Sequence, residues 1–181
     1  MKISTKKITI LALCIAMNMV GSWIGLMIKL PVYLDSIGTV MAGFAFGPVF
    51  GILAGVITAL VNTISDPVAL YFMPTQIIVG FTAGYFKFLK REDFLSKFYL
   101  TPVMSIPAAI SSALIATYLF GTVTTAGSSY IVQALRTIMD ISDFAIVLGV
   151  QIITDYLDKL LSIILVSKIY NMSAFKNILN K

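Results

Sequence analysis

The chain has 181 residues, of which 59% are apolar and only 12% charged, and its mean hydropathy is +0.97. A soluble domain carries about twice that share of charge, so too little polar surface remains to coat a water-soluble particle; soluble nucleic-acid binders, disordered tails and secreted disulfide scaffolds are excluded. The net charge of +5, from 13 Lys and Arg against 8 Asp and Glu, is therefore to be read against a bilayer.

Length predicts a single domain over 1–181. The first apolar stretch, 8–28, is uncharged and meets the about 20 residues that a helix needs to cross a bilayer. It is too long for a secretory signal, and no small-residue cleavage site follows it. Lys29 and Pro31 end it, and Leu30 to Asp35 reads as a short loop. Residues 36–64 carry no charge. A straight helix of that length would run about 43 Å at 1.5 Å per residue. Pro48, following Gly47, interrupts it. Two spans are therefore predicted, 36–47 and 48–64, with one kinked helix as the alternative. Ser65-Asp66-Pro67 is a turn signal. A fourth span is predicted over 70–89 and a fifth over 100–120, the latter despite Pro102 and Pro107, which membrane helices tolerate. Gly121 to Ser129, rich in Gly, Ser and Thr, reads as a loop. The remainder divides into a short amphipathic helix over 130–141 and a final span over 143–170.

Lys and Arg gather on cytoplasmic segments close to membrane spans. Lys2, Lys6 and Lys7 precede the first span, Lys87, Lys90, Arg91 and Lys97 separate the fourth from the fifth, and Lys168, Lys176 and Lys181 come at the end. Six spans with both termini cytoplasmic place all of these on one side and leave Lys29, Arg136 and Lys159 as exceptions. Five spans would put the C-terminal lysines outside. The predicted fold is thus an all-α integral membrane protein of six transmembrane helices. Its outer face collects Asp35, Asp66, Asp140 and Asp143, a mouth with little basic charge.

The chain has no His, which removes the commonest general base and transition-metal ligand. Cys14, alone in an apolar run, belongs to neither a disulfide nor a zinc site. No nucleophile–base pair and no phosphate-binding loop is present. No catalytic residue, metal or cofactor is expected, and uphill transport would need a partner ATPase. Polar groups in or beside the apolar slab are Asn62, Gln76, Gln151, Asp155, Asp158 and Lys159. Gln151, Asp155 and Lys159 recur every four residues and share a helix face, where Asp155 and Lys159 can pair, as Arg136 and Asp140 can on the amphipathic helix. Ionisable groups at membrane depth are costly and mark a site or pathway, against the plainer reading of a structural ion pair. Trp23, Tyr33, Tyr71, Phe72 and Tyr130 lie near the outer ends of the spans; an interfacial belt explains them by default, and stacking on a planar ligand is the alternative. Gly43, Gly47, Gly51 and Gly55 recur every four residues, as do Gly80 and Gly84, the spacing of close helix packing in lipid. Ala12 and Ala16 repeat it in the first span.

The stretch Leu30-Pro-Val-Tyr-Leu-Asp-Ser-Ile-Gly-Thr-Val-Met-Ala-Gly, continuing to Phe46-Gly-Pro-Val-Phe-Gly-Ile-Leu-Ala-Gly, resembles the substrate-binding S component of energy-coupling factor (ECF) vitamin transporters, as does Asp155-Tyr-Leu-Asp-Lys-Leu-Leu-Ser. The resemblance implies a multi-pass subunit of the bacterial plasma membrane that binds a vitamin or precursor near the outer face. It also implies association with a transmembrane coupling subunit and two cytoplasmic ATPases, toppling in the bilayer to release the solute, and no nucleic-acid partner. Ala12 and Ala16 match the pair that docks on the coupling subunit, and Leu30 to Asp35 matches the lid. Within the family the chain is most similar to members assigned to hydroxymethylpyrimidine or to pyridoxine (vitamin B6). A small aromatic alcohol fits Tyr71, Gln76, Asn62 and Asp35, and the full expected substrate site adds Tyr33, Gln151, Asp155 and Lys159. It should lie at the outer ends of spans four to six, roofed by the first loop and the 65–71 turn. The competing reading is a ligand-sensing membrane domain that signals to a partner protein, which the short tail after Tyr170 disfavours.

Overall fold

The computed structural model describes residues 4–86 and 94–173, which form α-helices joined by turns, with no strand among them. The helices are α1 (Thr5–Met27), α2 (Ile37–Phe46), α3 (Pro48–Asn62), α4 (Met73–Phe86), α5 (Phe94–Tyr118), α6 (Ser128–Arg136) and α7 (Asp143–Asn171). Of the basic residues used to orient the chain, Lys2, Lys87, Lys90, Arg91, Lys176 and Lys181 lie outside the described residues.

The break between α2 and α3 falls at Gly47, whose φ of 94° suits glycine alone, and Pro48 opens α3 where its missing N–H costs nothing. The second helix does not continue the first but folds back on it. Asn18 of α1 donates at once to the hydroxyls of Thr39 on α2 (2.8 Å) and Thr58 on α3 (3.0 Å). The glycine row therefore splits into two roles. Gly47 turns the chain, while Gly43, Gly51 and Gly55 bring α2 and α3 into backbone contact with α4 at Gly80 and Gln76. A Cβ on Gly55 would sit 2.6 Å from the Gln76 carbonyl oxygen. In lipid, where burial of apolar surface gives no drive, this close approach is what holds helices together.

The short α2 positions the rest. Its 10 residues rise about 15 Å, against about 35 Å for the 23 residues of α1. The connecting loop 28–36 must therefore descend along α1 into the bundle. Gly21 and Gly25 make room for it: a Cβ on Gly25 would lie 3.0 Å from the Tyr33 carbonyl oxygen. That descent carries Tyr33 and Asp35 from the end of α1 to interior depth.

Several boundaries differ from expectation. Asp66 Oδ1 accepts from the Val68 N–H at 3.1 Å and, with Pro67, closes a 3₁₀ turn over Pro67–Leu70, so α4 starts at Met73 instead of 70. Helix α5 starts at Phe94 and takes in Lys97, which is buried and donates to Ser167 Oγ of α7 at 2.6 Å. Helix α6 ends at Arg136 instead of 141, and this overturns the expected Arg136–Asp140 pair. With the helix finished, Asp140 is not one turn further on. The guanidinium instead grips both carboxylate oxygens of Asp143, at 2.8 and 3.0 Å, in the first turn of α7.

Two apolar clusters flank a polar layer. One gathers Ile10, Val40, Phe44, Val79, Ile163 and Val166; the other gathers Ala113, Ala116, Val132, Ile146, Val147 and Val150. Asp155, Asp158 and Lys159 lie between them along α7.

Candidate functional site

Two adjoining cavities of about 40 and 30 Å³ open where loop 28–36 meets the neighbouring helices. Tyr33, Asp35, Phe72 and Gln76 line both. The first extends to Asn62 and Asp66, and the second to Ser112, Asp155 and Lys159.

Hydrogen bonds tie this lining into the fold. The Gly38 N–H donates to Asn18 Oδ1 at 2.6 Å, Thr39 Oγ1 to Gln76 Oε1 at 3.3 Å, and Gln76 Nε2 to Asp35 Oδ2 at 2.7 Å. On α7, Lys159 Nζ donates to Asp158 Oδ2 at 2.6 Å and to Asp155 Oδ1 at 3.4 Å, while Ser112 Oγ donates to Asp155 Oδ2 at 3.0 Å. Asp158 also fastens the descending loop, accepting from the Leu34 N–H at 2.9 Å and from Ser36 Oγ at 2.8 Å. Asp155, Asp158 and Lys159 are 4%, 0% and 3% exposed. Charges taken that far from water persist only when each is paired and hydrogen-bonded. These are.

The loop residues feel the same burial. It pushes the Asp35 carboxyl up to about 6, against the pull of Lys159 in the other direction. Burial likewise raises the Tyr33 phenol. The Tyr33 hydroxyl is enclosed and meets no full hydrogen-bond geometry among the described residues, with the Ser128 and Thr124 hydroxyls its near neighbours.

Six of the residues singled out from the sequence meet here: Tyr33, Asp35, Asn62, Gln76, Asp155 and Lys159. Tyr71 and Gln151 do not line either cavity. Tyr71 is 52% exposed and packs edge-on against Phe120, and its neighbour Phe72 faces inward in its place. Gln151 is buried on α7, its Oε1 accepting from Thr154 Oγ1 of the same helix. The aromatic set therefore divides, with Tyr33 and Phe72 on the cavities and Trp23, Tyr71 and Tyr130 facing outward. Asn18, Ser36 and Ser112 are additions to the residues singled out from the sequence, and Asp158, noted there as a polar group of the last helix, proves to be the partner of Lys159 and of the loop. Asn18 was detectable as the one carboxamide inside 8–28. The serines carry no such signal, because small hydroxyls in apolar runs read as packing.

A larger depression, of about 660 Å³, runs along the outside of α1 and is bordered by Leu13, Ala16, Val20, Ile24 and Met41. It has no charged lining and so lacks the few convergent polar groups that orient a small solute. Ala12 and Ala16 both face outward on this helix.

Residues 6–170 match the family described as ECF transporter, substrate-specific component. The chain belongs to that family. It is accordingly a membrane-embedded transport subunit that binds a small-molecule substrate and pairs with other ECF transporter components. No curated protein and no solved structure matches it. In this S component Thr5–Met27 and the Ser96–Tyr118 part of α5 are long and apolar enough to cross a bilayer. Asp155, Asp158 and Lys159 sit near the middle of α7, which is 29 residues long. Ionisable groups inside a membrane helix point to function, and in this S component Asp155 and Lys159 border the second cavity.

Proposed function

We propose that this S component captures a small ring vitamin or vitamin precursor, hydroxymethylpyrimidine or pyridoxine in particular, at the outer face of a bacterial plasma membrane. Tyr33, Asp35, Asn62, Gln76, Asp155 and Lys159 bind the solute, and loop 28–36 is the lid over it. The chain crosses the bilayer six times, over about 8–28, 36–47, 48–64, 70–89, 100–120 and 143–170, with both termini in the cytoplasm. Ala12 and Ala16 dock on a transmembrane coupling subunit, and two cytoplasmic ATPases drive the reorientation that releases the solute inside.

The observation that carries this reading is the convergence of two rings, two carboxamides and paired charges on small cavities beneath a loop. Cavities of about 40 and 30 Å³ hold a water or two apiece. A ring enters only when the loop withdraws, which is the behaviour of a lid. The test is mass spectrometry of the small molecules that leave the purified full-length protein on denaturation. A heteroaromatic ring compound in near-stoichiometric amount is expected. Release of none, together with no uptake of either ring solute when the partner subunits are coexpressed, would refute the proposal.

A further inference from the structure

We infer that the solute presents a hydrogen-bond donor, an amino group or a protonated ring nitrogen, to Asp35 Oδ1, so that the site selects basic ring solutes over purely accepting or anionic ones. The inference rests on the reading of these cavities as the vitamin site.

Elimination among the lining carboxylates singles out Asp35. Asp66 accepts from the Val68 N–H at 3.1 Å through Oδ1 and from Thr125 Oγ1 at 2.7 Å through Oδ2. Asp155 accepts from Lys159 through one oxygen and from Ser112 through the other. Asp35 accepts from Gln76 through Oδ2 at 2.7 Å, and its Oδ1 accepts no hydrogen bond among the described residues. A carboxylate oxygen facing a cavity with no donor is a place for the solute's donor.

Two further groups independently point to a polar ligand. Asn62 is 7% exposed and borders the first cavity, yet its carboxamide makes no hydrogen bond among the described residues. The buried Tyr33 hydroxyl also has none. Leaving a buried hydroxyl unsatisfied is costly; a solute carrying a hydroxyl beside its donor would satisfy Tyr33 and pair with the Asn62 carboxamide at the cavity wall. Tyr33 and Phe72 border both cavities and favour a flat ring between them.

The charge balance sets the sign. The two linings carry three carboxylates, Asp35, Asp66 and Asp155, against Lys159, the one basic residue among the described residues of either. That ammonium is already held at 2.6 Å by Asp158, which lines neither cavity. Among the described residues of these linings no positive charge is left over for a carboxylate or phosphate on the solute.

The test uses the full-length protein in lipid nanodiscs and isothermal titration with amino-hydroxymethylpyrimidine, its isosteric oxo analogue, pyridoxine and pyridoxine phosphate. The amino compound should bind at least about tenfold more tightly than the oxo analogue, the worth of one hydrogen bond to a charged acceptor. The phosphate ester should bind more weakly than pyridoxine. Asp35→Asn should erase the amino preference, and the surface variant Asp140→Asn should retain it. The wild-type comparison needs no variant to fold. Equal affinity for the amino and oxo compounds, or tighter binding of the phosphate ester, overturns the inference and leaves the vitamin-site reading standing. If none of the four binds and no ring compound leaves the denatured protein, both fall together.

Discussion

Asp35 gives the site a pH dependence whose sign follows from its surroundings. Burial raises its carboxyl to about 6; Lys159 and the Gln76 amide oppose the rise, and Asp158 and Asp155 add to it. Asp66 and the raised Tyr33 phenol complete the titratable groups around it. Accepting a donor requires the ionised form, so affinity for a donor-bearing solute should drop as pH falls through about 6 and level off above it. Asp35→Asn should remove that step, as read by titration calorimetry on both sides of the midpoint. The effect on stability runs the other way. The folded-state value lies above the ordinary 3.8, so the folded chain binds the proton more readily, and this contribution is lost as pH rises through about 6. At this scale the sequence was partly legible. The four-residue spacing from Asp155 to Lys159 exposes their pairing, whereas the bond from Lys159 to Asp158 is not legible because adjacent helical residues do not ordinarily face one another. The long lysine stem bends back to reach it. Arg136 was assigned the wrong aspartate because its true partner depends on where a helix stops, and no residue there announces the stop.

Among the elements, glycines separate positions that permit contact from positions that do not. Gly55→Ala would place a methyl 2.6 Å from the Gln76 carbonyl oxygen and push α3 off α4. A loss of about 1–3 kcal/mol is expected, the usual cost of overpacking, together with weaker solute binding as Gln76 shifts from Asp35. Gly149→Ala on α7 has nothing within 4 Å to meet and should be neutral or stabilising, since Ala favours a helix over Gly by about 1 kcal/mol. Thermal melts and binding isotherms of the two variants check this contrast. Helix existence was readable here from apolar runs and prolines. The descent of loop 28–36 was not. Lys29 and Pro31 make it look like an ordinary exposed connection, and only the mismatch in length between α1 and α2 draws it inward.

For the whole molecule, the outward face of α1 carries Ala12 and Ala16 beside exposed Leu13, Val20, Trp23 and Ile24. Replacing both alanines by leucine touches neither cavity. Solute binding by the isolated protein should therefore stay at the wild-type level, while uptake and copurification with the partner subunits should fall at least about tenfold, because a bulky residue at a small-residue helix contact holds backbones apart. Equal uptake by the double variant would place the docking face elsewhere. The family itself was legible in the residues of loop 28–36, α2, α3 and α7, and of these segments the loop, α3 and α7 also contribute cavity walls.

The loop over those cavities has one further property. Lys29 and Leu34, neither of them glycine, hold φ values of 51° and 56°, and each such backbone costs about 1–3 kcal/mol. Asp158 offsets part of that strain by clasping Leu34 and Ser36. In the lid role proposed for it, this loop is under tension, held by a few bonds over cavities smaller than a ring solute. Such a lid would gate capture: with rising solute concentration the observed association rate should climb and flatten at the frequency with which the clasp lets go, and scarcity should slow entry only below that ceiling.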